Sequence, residues 1–135
     1  MPVFPSREWM ETFGAGLAAH PDAAVVAGVL DGVYRFVVLP AGPLTAEHTY
    51  DLDIRPTDRG AAVAVIDDTG EAPRLTLTAG YDRWKQLVRG EMDIPMALML
   101  RRLRISGDIG RVTKHPEVAK PLFAALGGVP TTWLD

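Results

Sequence analysis

Cysteine is absent from this chain of 135 residues. Disulfides, thiolate nucleophiles and cysteine-ligated zinc are therefore excluded. The absence also fits a reducing compartment, and a cytoplasmic location is expected. Serine is almost as scarce, with Ser6 and Ser106 only, and neither sits in a G-x-S-x-G nucleophile elbow. The three histidines, His20, His48 and His115, are scattered without metal-ligand spacing. Ser106, Asp108 and His115 could be drawn as a triad, but no local feature orients them. Long hydrophobic runs are missing too. AAVVAGVL at 23–30 is far too short to span a bilayer, and MPVFPSREW lacks the basic-then-apolar pattern of a signal peptide. No repeat or low-complexity tract is visible. The parts of an enzyme, a metal site or a cofactor site are thus lacking, and none is expected.

What is present is apolar. Hydrophobic residues make up 47% and charged residues 23%, which suits one globular domain over 1–135 with a real core. The net charge of −3 disfavours a nucleic-acid binder. The charge is uneven, however. Between Arg101 and Lys120 six basic residues face two acidic ones, a local balance of +4 that leaves about −7 on the rest. A basic patch on an acidic body points to a local anion; the ordinary alternative is a solvated charged surface.

The hydrophobic period changes along the chain. Ser6 is an N-cap candidate for a helix in which Trp9, Phe13 and Leu17 recur every four residues, with Met10 beside them. His20-Pro21-Asp22 ends it, and Asp22 can cap a second short helix. Asp31-Gly32 is a turn. The period then becomes two. Tyr34, Phe36 and Val38 share one face of 33–40, and Tyr50, Leu52 and Ile54 alternate with Thr49, Asp51, Asp53 and Arg55. AAVAVID follows, then a DDTGEAP turn, then RLTLTA, so these successive strands are expected to form an antiparallel meander. Helical spacing returns at Tyr81, Trp84, Leu87 and Val88, with Gly90 as a stop. Asp93 can cap the next helix, with Pro95 in its first turn. From Ile94 to Leu100 that helix is apolar on nearly every side and is expected to be buried. Arg102 to Ile105 alternates as a short strand, and Pro116 and Pro121 must interrupt or restart any helix in the tail. The order α-α-β-β-β-β-α-α-β-α is that of an α+β fold.

Several local constellations have a bland alternative. Gly14-Ala15-Gly16-Leu17-Ala18-Ala19 matches a dinucleotide-type G-x-G-x-x-A, but that mechanism needs a strand before the first glycine, and here the glycines sit inside a helix. Small residues for close packing are the better account. Asp51 and Asp53, with Glu47 near, could offer oxygens to a cation; on the polar side of an alternating strand they are ordinarily solvated. Asp67-Asp68-Thr69-Gly70 is turn chemistry. The remaining signal is GEMDIPMALMLRRLRISGD at 90–108, where Met92, Met96 and Met99 precede Arg101, Arg102 and Arg104. Methionine repacks around ligands of varied shape. The segment reads either as a core helix followed by a solvated strand or as the wall and lip of a pocket for a greasy molecule with an anionic end. Trp9, Phe13, Trp84 and Phe123 add apolar surface.

Gly90-Glu91-Met92-Asp93-Ile94-Pro95-Met96-Ala97-Leu98-Met99, followed by Leu103-Arg104-Ile105-Ser106-Gly107-Asp108, resembles the signature of sterol carrier protein type 2 domains. The Leu75-Thr76-Leu77-Thr78 strand and the Asp82-to-Val88 helix with Trp84 are also similar, and the element order matches over about 5–125. The resemblance implies a five-stranded mixed, largely antiparallel sheet with helices packed on one face. It implies non-catalytic binding or transfer of a fatty acid, acyl-CoA, sterol or similar lipid in a tunnel between sheet and helices, with transient membrane-surface contact or a homo-oligomer as further expectations. Met92, Met96, Met99 and Leu103 would lie near the tunnel with Trp84 and Leu87, and Phe13, Phe36, Leu77 and Phe123 complete the candidate lining. Arg101, Arg102, Arg104 or Lys114 would meet an anionic head group. The alternative is an accessory domain of the same fold with its cavity filled, acting as a dimer or an enzyme partner. The family carries glycine where Arg101 stands, which alters the corner between helix and strand.

Overall fold

The computed structural model describes residues 1–66 and 71–134. The chain opens with helix α1 (Arg7–Ala19) and helix α2 (Ala23–Leu30), continues through strands β1 (Gly32–Leu39), β2 (His48–Thr57), β3 (Gly60–Ile66) and β4 (Leu75–Gly80), and turns into helices α3 (Tyr81–Val88) and α4 (Ile94–Met99). Strand β5 (Arg104–Gly107), the short helix α5 (Gly110–Thr113), a 3₁₀ turn (Pro116–Val118) and helix α6 (Ala119–Gly127) complete it. The expected cap at Ser6 is made: its hydroxyl accepts from the Trp9 amide at 3.1 Å. The second differs in detail. Asp22 occupies the N-cap position of α2 without a side-chain cap bond, and its own amide donates to His20 Nδ1 at 3.0 Å.

The five strands form one mixed sheet in the order β3-β2-β1-β4-β5. The meander expected of β2, β3 and β4 is not formed: β1, β2 and β3 make an antiparallel one, and β4 does not pair with β3. β4 lies on the far side of β1 and runs parallel to it, with Phe36 beside Leu77. Local alternation cannot distinguish these two placements, because a strand's inward face is apolar wherever it pairs. β5 then pairs antiparallel with β4, with Leu77 opposite Ile105. The turn residues Asp67-Asp68-Thr69-Gly70 lie outside the described residues.

Register sorts the two faces. Tyr34 lies between Leu52 and Leu75, and Ile54 faces Val63, so the centre of one face is apolar. The helices pack on this face, and its centre is the core. The other face carries the ion pairs of the sheet. Arg35 holds Asp51 through two bonds of 2.9 and 3.1 Å, and Arg55 holds Asp53 at 2.6 Å and Glu71 at 2.9 Å. Bonds from Asp53, and then Glu71, hold the Arg55 guanidinium above its ordinary value. Gly14 lets α1 sit close on this sheet: a β-carbon there would meet Val63 Cγ1 at 3.0 Å. The structure thus agrees with close packing at Gly14, while nothing lies within 4 Å of a β-carbon at Gly16.

The two ends of the chain close on each other. The Phe4 amide donates to Thr132 O at 3.1 Å, the Thr132 amide to Pro2 O at 2.9 Å, and Trp9 Nε1 to Thr131 Oγ1 at 2.9 Å. Phe4 and Val129 are buried, so apolar packing continues past the expected 5–125. From this junction aromatic rings run inward in sequence: Phe4 on Trp9 (4.8 Å between centroids), Trp9 on Phe13 (5.9 Å), Phe13 on Phe36 (6.2 Å) and Phe36 on Trp84 (6.0 Å).

Candidate functional site

That aromatic line ends at a hollow. Strand alternation delivers Tyr34 and Phe36 from β1, Ile54 from β2, Leu75 and Leu77 from β4 and Ile105 from β5 to one apolar floor. Phe13, Leu30, Trp84 and Leu87 form the walls, and Leu122 and Leu126 of α6 roof it. The enclosed cavity is about 80 Å³, and its lining is entirely apolar. The polar atoms at its border are already paired with backbone: Tyr34 Oη donates to Leu30 O at 2.5 Å and Trp84 Nε1 to Val37 O at 2.9 Å. Among the described residues no Asp, Glu, Lys, Arg or His lines it. Apolar hollows of this kind stay dry. The site can bind by burial of hydrocarbon. It is also narrow, since ordinary ligand pockets measure roughly 300–1,000 Å³.

One wall is thin. Ile94 of α4 and Ala119 of α6 line the cavity, and the same two residues line a shallow groove on the surface with Pro95, Lys120 and Phe123. Helix α4 itself departs from expectation. Asp93 caps it as predicted, Oδ1 accepting from the Met96 amide at 2.7 Å. The helix is not buried, however. Ala97 is its one buried residue, while Met96 is 45% exposed and Met99 76% exposed. Leu98 and Leu100 are exposed as well. The reason is geometric: six residues make less than two turns, so only the Ile94–Ala97 side faces inward. Apolarity on every side describes the sequence, not the surroundings.

The predicted ligand contacts therefore divide. Phe13, Phe36, Leu77, Trp84, Leu87 and Leu103 converge on the cavity. Met92 is buried in the core but does not border the hollow; Met96 and Met99 point to solvent, and half-buried Phe123 lies in the outer groove. Leu30, Tyr34, Ile54, Leu75 and Ile105 also border the hollow, beyond the contacts that sequence reasoning identifies. The alternation of their strands marks most of them as inward-facing, but only the pairing order could centre them on one point.

The basic group sits at the corner between α4 and β5. Arg101 takes the left-handed conformation, φ +58°. It is the residue after the C-cap of α4: the Arg102 amide donates to Ala97 O at 2.8 Å and the Arg101 amide to Leu98 O at 3.1 Å, the Schellman arrangement in which glycine is usual. The corner is thus kept with arginine in the glycine position. Arg101 and Arg104 flank a surface depression with Leu98 and Ile109 between them; Arg102 and Lys114 are exposed nearby in sequence. Gly107, which closes β5, is required by space. Its φ is +107°, and a β-carbon would lie 2.2 Å from Arg74 O. The next amide, of Asp108, donates to that same oxygen at 2.8 Å.

Other chemistry finds no assembly. Among the described residues no cluster of three His, Asp or Glu could hold a metal ion. Asp51 and Asp53 are engaged by arginines. His115 Nδ1 meets Glu117 at 3.1 Å, not Ser106 or Asp108. The G-x-G-x-x-A glycines lie inside α1 with no strand before them. Among the described residues no single helix is long and apolar enough to cross a membrane.

Fold and hollow together define a small α+β domain with an all-apolar cavity between its sheet and its helices. The chain belongs to the SCP-2 sterol transfer family, whose model matches residues 16–120. That membership supports lipid binding or transfer in general. Solved structures share the fold, three of them as follows. A conserved hypothetical protein of Thermus thermophilus, suggested to be a sterol carrier protein, is 17% identical, with 94% of this chain and 90% of that one covered at a TM-score of 0.73. A sterol carrier protein 2 is 18% identical, with 93% and 98% covered at 0.72. The sterol carrier protein domain 2 of Helicoverpa armigera is 19% identical, with 98% and 99% covered at 0.65. No curated protein matches the sequence.

Proposed function

We propose that this chain binds a fatty acid, acyl-CoA ester, sterol or similar lipid in the cavity between sheet and helices, without catalysing a reaction on it. The observation that carries this is the hollow itself: its exposed lining is apolar, the one phenol beside it, of Tyr34, is bonded to backbone, and Ile94 and Ala119 separate it from an outer groove. At about 80 Å³ it must widen to take a lipid. α4, with Ala97 as its single buried residue, and α6 are the walls that would part. Burial of hydrocarbon would supply the driving force, about 0.8 kcal/mol per methylene. A carboxylate or phosphate left at the rim would find Arg101, Arg102, Arg104 or Lys114. Loading and unloading would take place in the cytoplasm, with transient contact at a membrane surface.

Native mass spectrometry of gently purified protein, paired with a fluorescent fatty-acid titration, tests this. A co-purified lipid mass and saturable one-to-one binding are expected. Empty protein with no saturable signal for fatty acid, acyl-CoA or sterol probes would overturn it.

A second function is favoured by the narrowness of the hollow and by the exposed side of α4. The chain would then be an accessory domain, acting as a homo-oligomer or an enzyme partner. A solved ubiquinone synthesis protein, UbiJ-SCP2, shares the fold at 18% identity and a TM-score of 0.50. A stable complex with no lipid uptake would select this function over the first.

A further inference from the structure

The corner from α4 to β5 combines two features that are costly apart and useful together. Its outer surface is hydrocarbon: Met96 is 45%, Met99 76%, Leu100 47% and Ile109 44% exposed. Within the same few residues Arg101, Arg102 and Arg104 are exposed, and none forms an ion pair among the described residues. Around the surface depression Leu98 and Ile109 stand beside Arg101 and Arg104, so oil and charge share one patch. The acidic groups nearest in sequence are engaged elsewhere: Asp93 caps α4, Glu91 pairs with Arg89 at 3.4 Å, and Asp108 has its own partner.

We propose that this corner is a docking face for anionic phospholipid bilayers, with Met96, Met99 and Leu100 entering the headgroup–acyl boundary and Arg101, Arg102 and Arg104 meeting lipid phosphates. Charge complementarity selects this occupant. The corner is basic on a chain whose net charge is −3, so an anionic surface attracts this side and repels the remainder, and the protein docks in one orientation. Methionine is unbranched and adapts to a disordered acyl layer. The face also backs onto the cavity, because Leu103 and Ile105 line both the depression and the hollow. The proposal names the surface and lipid class for the membrane contact in the function above.

The test uses the full chain and vesicles of phosphatidylcholine, with or without a minority of phosphatidylglycerol. Since the sequence holds no cysteine, Met99→Cys and Ala62→Cys each create a single labelling point, the second on the polar sheet face. With an environment-sensitive dye, anionic vesicles should blue-shift emission at position 99 and not at 62. Partitioning should fall with added salt and be weak on neutral vesicles. Arg102→Gln with Arg104→Gln should weaken it roughly 25-fold, about fivefold per arginine. Folding of each variant is checked by circular dichroism, and the wild-type salt series gives a reading that needs no variant. Equal partitioning on neutral vesicles, equal shifts at both positions, or a shift at 99 explained by protein concentration alone would overturn the proposal, the last by revealing a second copy as the occupant. A vesicle-free fatty-acid titration separates the two claims. Saturable fatty-acid binding without vesicle binding removes the docking face alone, and vesicle binding without fatty-acid uptake removes the cavity function alone.

Discussion

Ala119→Leu turns the hollow into a measurable quantity. Ala119 starts α6 and lines both the cavity and the outer groove, so a longer apolar side chain there can enter the void. Alanine and leucine are both strong helix formers, so helix propensity changes little. Residual cavity costs about 24 cal/mol per Å³. Complete filling of an 80 Å³ void would therefore stabilise the protein by at most about 2 kcal/mol. For a domain of this size that corresponds to a rise in melting temperature of roughly 4–10 °C. The same substitution closes the thin wall, so lipid should no longer raise the melting temperature. The wild type, by contrast, should gain about 2.7 kcal/mol at a ligand concentration one hundred times Kd. Thermal melts of both proteins, with and without fatty acid, read out both effects. A loss of about 1–3 kcal/mol, the ordinary result of overpacking a solid core, combined with unchanged fatty-acid binding, would refute the reasoning. Met96→Trp, which the methionine pattern suggests as a tunnel block, should leave binding in the cavity unchanged, because Met96 faces solvent.

Further outcomes follow from single positions. Arg101→Gly should stabilise by about 0.5–1 kcal/mol in a denaturant melt, since glycine takes the left-handed C′ position without the β-carbon penalty and Arg101 sits there at φ +58°. Gly107→Ala should cost more than about 2 kcal/mol, because the new methyl meets backbone oxygen rather than a movable side chain; an unchanged melt would contradict the close approach of Gly107 to Arg74. The Glu117 carboxyl is held below the ordinary carboxylate value by its own backbone amide and then by His115. Its contribution to the turn before α6 is therefore complete at neutral pH and lost as pH falls through the lowered value, which a carboxyl chemical-shift titration would follow.

Much of the architecture is legible in local pattern. Asp93 and Ser6 are caps because their oxygens meet amides that have no helical partner, and that chemistry needs only the next three residues. Tyr34, Phe36, Leu52, Ile54, Leu75 and Leu77 have an inward face because side chains alternate along a strand. The placement of β4 is not legible, since its inward face is the same whether it continues the meander or crosses to pair parallel with β1. The exposure of α4 is hidden for a related reason. Met96 and Met99 are apolar, but burial depends on what other elements cover, and nothing in 94–100 records how far α6 and β5 reach. The Gly107-Asp108 end of the motif is visible as a pattern, while its cause, the carbonyl of Arg74, lies over thirty positions away in sequence.

The sequence by itself determined the α+β order, the caps at Ser6 and Asp93, the inward faces of the strands and the basic segment after α4, because each depends on neighbours a few residues apart. Only the tertiary structure decided that β4 joins β1, that Phe13, Phe36, Leu77, Trp84, Leu87 and Leu103 surround one apolar hollow, and that the methionines of α4 stand outside it. A cavity is the space left after distant elements have packed, and exposure is what they leave uncovered. Neither is a property of any single stretch of chain.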